Sequence, residues 1–178
     1  MGTASSCTRR SAAFLLLVLG WSHMAAQTSR RVAPLGADAR RLALVIGNNT
    51  YPWKPLTNAV NDAQSLAALL PQLGFGSQDI TIATNTTLRQ LQRVTREFLE
   101  KVRLGDVALV YYSGHGVELG GVNYLVPVDF PSNASDLELQ DDAYPAQQLL
   151  RNLEATQARV RLMAGETRNG PPRLPTVE

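Results

Sequence analysis

The chain has almost no sulfur chemistry: one cysteine, Cys7, and three methionines in 178 residues. Cys7 lies ahead of the first apolar run, so no pair exists to form a disulfide, and a fold in an oxidising compartment must rest on its core alone. Histidine is nearly as scarce, with two in the chain, His23 and His115. One histidine and no thiol in the body of the chain leave too few ligands for a zinc site. Aromatics make up 6%, and Trp53 and the tyrosines are scattered, so packing is their default explanation. Long apolar runs are absent too. The stretch Phe14-Leu15-Leu16-Leu17-Val18-Leu19 is too short to cross a bilayer. There is no internal repeat, which sets aside solenoids and propellers.

What is present is ordinary globular composition, 44% hydrophobic and 18% charged. Arg9 and Arg10 ahead of the short apolar run, with Ala25 and Ala26 after it, read as a secretory leader over residues 1–26. Cleavage there would give a secreted or periplasmic protein with no membrane span; an uncleaved anchor is the other reading. Arg9 and Arg10 are the leader's only charges, so the remaining chain balances its basic and acidic residues. The basic pI is a leader property, and no clustered basic face points to nucleic acid. About 150 residues beyond the leader suffice for one domain that buries roughly 68–70% of its unfolded surface.

Residues 27–40 are small and polar, with Pro34 and Gly36, and read as a linker. The domain spans 41–163. Leu42-Ala43-Leu44-Val45-Ile46, ended by Gly47-Asn48-Asn49, is a strand buried on both faces. A helix is expected from about Asp62, capped by Asn61, to Leu73, with Gly74 closing it. A short strand, Ile80–Ala83, leads to the clearest helix, Thr87 to Val102, with Glu97 set to pair with Lys101. Val107–Tyr112 is a second fully apolar strand. The glycine pair at 120 and 121, followed by Val122–Pro127, suggests a small hairpin. Pro145 opens a helix through about Thr156, and Val160–Met163 starts another strand. Apolar strands alternating with amphipathic helices predict an α/β fold, three-layered, with a mainly parallel sheet and flanking helices. Residues 164–178, with three prolines and two glycines, read as a tail, so the sheet is expected to be incomplete at its C-terminal side.

Catalytic groups of open α/β sheets collect at the carboxyl ends of strands, where Ser113-Gly114-His115-Gly116 stands. The flanking glycines would let the backbone approach a ligand closely. Tyr111-Tyr112-Ser113-Gly114-His115 lacks the first glycine of a nucleophile elbow, and Gly47-Asn48-Asn49 has neither the lysine nor the glycines of a phosphate loop.

The ordered set RLALVIGNNTY, NAVNDAQSLAALLPQLGF, DVALVYYSGHG and NYLVPVDF resembles the caspase-like cysteine peptidases, in particular the bacterial metacaspase and orthocaspase group, over residues 41 to 163. The resemblance implies proteolysis, with protein or peptide substrates. It implies His115 as general base and Gly116 as donor of an oxyanion-hole N–H. Where that family places its cysteine, at the end of the next strand, this chain reads Gly165-Glu166-Thr167-Arg168-Asn169, so Thr167 occupies the nucleophile position. A threonine hydroxyl is far less acidic than a thiol, and known threonine nucleophiles use an N-terminal amine. The chain is therefore expected to be inactive, through truncation, frameshift or decay to a pseudoenzyme, or to serve as a non-catalytic binding module for a caspase-like relative. Self-association through an open sheet edge and marginal stability are expected with it.

Asp62 matches a family position that binds an arginine or lysine side chain; equally, it is a helix-start carboxylate facing the macrodipole. Asp141 and Asp142 resemble an acidic pair that helps hold calcium in some relatives. No cofactor is otherwise implied, and with no third carboxylate nearby a solvated pair is the plainer reading.

Overall fold

The computed structural model describes residues 39–158 and the backbone of 160–169. The expected leader with Cys7, nearly all of the linker, and the end of the chain lie outside the described residues. Among the described residues no helix is long and apolar enough to cross a membrane.

Strand β1, Arg41–Gly47, follows from its apolar run, and every residue after Arg41 is buried. Helix α1 spans Ala59–Leu69, three residues earlier than the Asp62 start read from the sequence. Asn58, not Asn61, holds its N-cap position without a side-chain cap; instead the Asn49 side chain reaches back and accepts from Val60 N–H at 3.1 Å. Pro71 tightens Leu70–Leu73 into a 3₁₀ turn, and Gly74 closes it in the left-handed region at φ 82°. Strand β2, Ile80–Thr84, leads into helix α2, Leu88–Lys101. Thr87 caps α2 through a reciprocal box with Gln90. Its Leu91 and Phe98 are buried, worth roughly 1.5–3 kcal/mol each. The ion pair of Glu97 is with Arg93 at 3.9 Å, one turn back, in place of the expected Lys101.

Strand β3 runs from Val107 to Leu119, well past Tyr112. It turns at Gly120 and Gly121, both at positive φ, into β4, Val122–Leu125, which makes the expected hairpin. Helix α3, Asp136–Asp142, buries only Leu139 and escaped the sequence reading, although Ser135 and Glu138 form a capping box at its start. Tyr144–Pro145 forms β5 and α4 covers Ala146–Ala155, with Pro145 at the N-cap. Strand β6 extends from Val160 to Asn169, six residues beyond Met163 and into the segment read as a tail.

The class is α/β, as the alternation of elements predicts. Residues 107–113 of β3 pair in parallel with both β1 and β6, and β2 pairs in parallel with β1, so the parallel part runs β2-β1-β3-β6. Gly116 pairs with Leu125 on one side and Asn169 on the other, so β4 takes up β3 where β1 stops. Helices α2 and α4 cover one face through Leu91, Phe98, Leu149 and Leu153. Helix α1 covers the other through Ala63 and Ala67, continued by Leu70 of the 3₁₀ turn. That face is packed to contact: a Cβ on Gly47 would lie 2.5 Å from the Ala59 carbonyl oxygen.

Candidate active site

Four chain segments meet where β1, β2 and the part of β3 paired with β1 end. The Asn48 N–H continues the ladder to Ser113 O at 2.9 Å, and its buried Oδ1 accepts from both Thr86 N–H and Thr86 Oγ1. Asn85, at φ 50°, turns its Oδ1 onto the N–H groups of Asn49 and Thr50. The segment from Tyr51 to Leu56 is thereby tied down over β3 where its pairing with β1 stops.

His115 lies beneath it, 0% exposed. Its imidazole makes an edge contact with Tyr51, centroids 4.4 Å apart, and stacks on Trp53 at 4.5 Å and 29°. The Trp53 indole N–H is pinned to Phe130 O at 3.1 Å. Nε2 of His115 sits 2.7 Å from Lys54 O. A carbonyl only accepts, so this contact assigns the proton to Nε2 and makes Nδ1 the basic nitrogen of the neutral ring.

The phenols of Tyr51 and Tyr112 stand 3.2 Å apart, both buried. Burial pushes the Tyr51 phenol up, opposed by its hydrogen bonds with Tyr112 and the His115 backbone and by the nearby Asn48 side chain. Burial drives Tyr112 further up, reinforced by the neighbouring Tyr51. Both are neutral hydroxyls at ordinary pH. Among the described residues Asn48 Nδ2 makes no hydrogen bond within ordinary distance.

Of the residues singled out by sequence, Asp62 joins this corner. It lines a crevice with Leu56, Thr57, Ser113 and Gly114 that has room for about one water. Gly116 lies one residue past His115, partly exposed, between β4 and β6. The β6 register places Thr167 opposite Gly114 and Arg168 opposite His115. Asp141 and Asp142 are elsewhere, at the end of α3, and line different hollows: Asp141 the groove between α2 and α4, Asp142 a crevice with Arg89 and Asp129. Among the described residues no group of three or more histidine, cysteine or carboxylate side chains could hold a metal ion. Sequence reasoning missed Tyr51, Trp53 and Tyr112. The signal was the concentration of rings in Tyr51-Pro52-Trp53 directly after the Gly47-Asn48-Asn49 strand end.

Comparison with known proteins gives consistent results. The caspase domain family model matches residues 40–158, a span that includes Asp62 and His115 and ends before Thr167. A 100-residue stretch is 36% identical to human mucosa-associated lymphoid tissue lymphoma translocation protein 1, covering 56% of this chain and 12% of that protein. Another, of 87 residues, is 33% identical to metacaspase-7 of Arabidopsis thaliana, covering 43% of this chain and 21% of that protein. The chain thus spans only a small part of these relatives. Protein GSU0716 from Geobacter sulfurreducens has a similar fold, with a TM-score of 0.55 at 19% identity over 75% of this chain and 52% of that one.

Proposed function

The chain belongs to the caspase domain family, and from that premise we propose that its corner around His115, where β3 outruns β1, is a cysteine-endopeptidase site that keeps the base and has lost the nucleophile. The observation that carries this is the setting of His115, clamped by Tyr51 and Trp53 with Nε2 engaged by Lys54 O, beside a strand that bears Thr167 in the nucleophile's place.

In an active relative the imidazole takes the proton of a thiol, and the thiolate attacks the peptide carbonyl. Here Nδ1 of His115 is the proton acceptor, Gly116 N–H is assigned to the developing oxyanion, and Asp62 to an arginine or lysine side chain of the peptide. A neutral imidazole does not ionise an internal threonine hydroxyl to a useful degree, so the site binds an extended peptide without cleaving it. The remaining expectations belong to this proposal: export by the leader, a protein or peptide partner, and self-association along the outer edge of β6. That edge has no strand partner among the described residues, and it supports the second reading, a regulatory module docking a caspase-like relative.

The test puts a thiol back. In a Cys7→Ser background, Thr167→Cys is alkylated with iodoacetamide at pH 7, alone and combined with His115→Ala. An imidazole-paired thiol with its pKa lowered from about 8.5 to 7 or below is at least about half thiolate at that pH, so alkylation is expected to be at least about tenfold faster with His115 present. The parent chain is expected to turn over no arginine-, lysine- or aspartate-containing peptide. Equal alkylation rates with and without His115 defeat the site assignment; robust parental turnover lost on His115→Ala defeats the inactive reading.

A further inference from the structure

His115 occupies a break in the sheet. On the β1 side of β3, the ladder ends with Asn48 N–H to Ser113 O, and the β4 side begins with Val126 N–H to His115 O at 3.0 Å. The His115 N–H falls between them. The Tyr51 hydroxyl accepts it at 3.0 Å. Tyr112, three residues earlier on β3, sends its single proton to a site between His115 O at 2.9 Å and Val126 O at 2.8 Å. Tyr51 completes the set at 3.0 Å from Val126 O. Side-chain hydroxyls therefore do at residue 115 what a neighbouring strand does elsewhere, since a buried N–H left unpaired costs as much as a lost hydrogen bond.

The same two oxygens explain Gly114. A Cβ there would lie 2.6 Å from the Tyr112 hydroxyl and 2.7 Å from that of Tyr51, so the hydroxyl pair occupies the volume of a side chain at 114. Loss of the side chain lets the phenols reach across the strand to the next residue's backbone. Tyr51 acts twice, because its ring edge also meets the imidazole that its hydroxyl's hydrogen bond anchors.

We infer that Tyr51 and Tyr112 are positioning residues for His115, their hydroxyls replacing the absent strand partner and so fixing where the imidazole stands relative to the end of β6. The inference rests on the proposed function for what His115 does, but not for where it stands.

Tyr51→Phe and Tyr112→Phe each keep the ring and remove only the oxygen. The full chain is labelled with ¹⁵N-histidine, and the imidazole nitrogen signals of His115 are compared with those of the parent and of Leu70→Val, a control that loosens the α1 face of the core. Both phenylalanine variants are expected to move or split the His115 signals; Leu70→Val is expected to lower the melting temperature and leave them in place. In the Thr167→Cys background, Tyr51→Phe is expected to lose about fivefold of the His115-dependent alkylation rate, the worth of one hydrogen bond. Signals and rates unchanged from the parent overturn the inference. Absence of any His115-dependent alkylation in Thr167→Cys sinks the functional reading alone, because the imidazole signals still judge the tyrosines. Should Tyr112→Phe fail to fold, Tyr51→Phe decides by itself.

Discussion

The two most distinctive hollows of this domain are opposites. The groove between α2, α3 and α4 measures about 660 Å³ and is lined by exposed side chains such as Gln92, Arg96, Gln148 and Asn152. The crevice beside Gly114 holds about 10 Å³. Next to the small one, beyond Gly114, buried Tyr51 and Tyr112 converge on Val126 O, and the Tyr51 hydroxyl takes the His115 N–H. Around the large one stand buried Tyr144 and Thr95, and the Thr95 hydroxyl makes no hydrogen bond among the described residues. Volume marks where helices diverge from the sheet; convergence of buried polar atoms marks where the chain is specified atom by atom.

The sharpest test of that contrast is Gly114→Ala. Its methyl group collides with two hydroxyl oxygens that are themselves held by backbone, so a loss of about 2–3 kcal/mol is expected in urea unfolding. Adding Tyr51→Phe and Tyr112→Phe removes the nearest colliding atoms and is expected to recover part of it, a coupling that independent sites would not show.

Alkali probes the same corner without a mutation. Both phenols titrate above their ordinary value in the folded chain, so the unfolded chain gives up its protons first. Their contribution is intact below about pH 10 and is lost as pH rises from there through the raised folded values, at up to about 1.4 kcal/mol per pH unit per phenol. Denaturation midpoints from pH 8 to 11 measure this, and Tyr112→Phe is expected to flatten the slope. The groove supplies the smallest effect: Gln148→Ala and Asn152→Ala are expected to change stability by no more than about 0.5 kcal/mol, and a larger loss would mean that the open region is as specified as the closed one.

Much of the fold was legible because burial on both faces writes itself as unbroken apolar runs, as in Leu42–Ile46, and because α2 carries its periodicity and cap openly. What failed were segments whose structure is dictated by a neighbour. Ser113–Gly116 has loop composition, yet pairing with β4 and β6 keeps it extended. Residues 164–169 have no apolar pattern, and their strand follows from register with β3. Helix α3 buries too little to show a period. At the site, His115 was legible as a lone imidazole after an apolar strand, and Asp62 by resemblance. The tyrosines were not, since nothing in a one-dimensional pattern separates a phenol that fills a core from one that replaces a strand.

The hairpin that follows His115 offers a practical handle. Nothing lies within 4 Å of where a side chain would project at Gly120 or Gly121, while the strand leading to them is continuous with the histidine. Lengthening that tip into a flexible loop costs on the order of 0.6 kcal/mol per doubling, so a fluorophore could be carried there on a rigid arm. The peptide binding proposed for the buried corner could then be tested optically without altering a single residue that surrounds the imidazole.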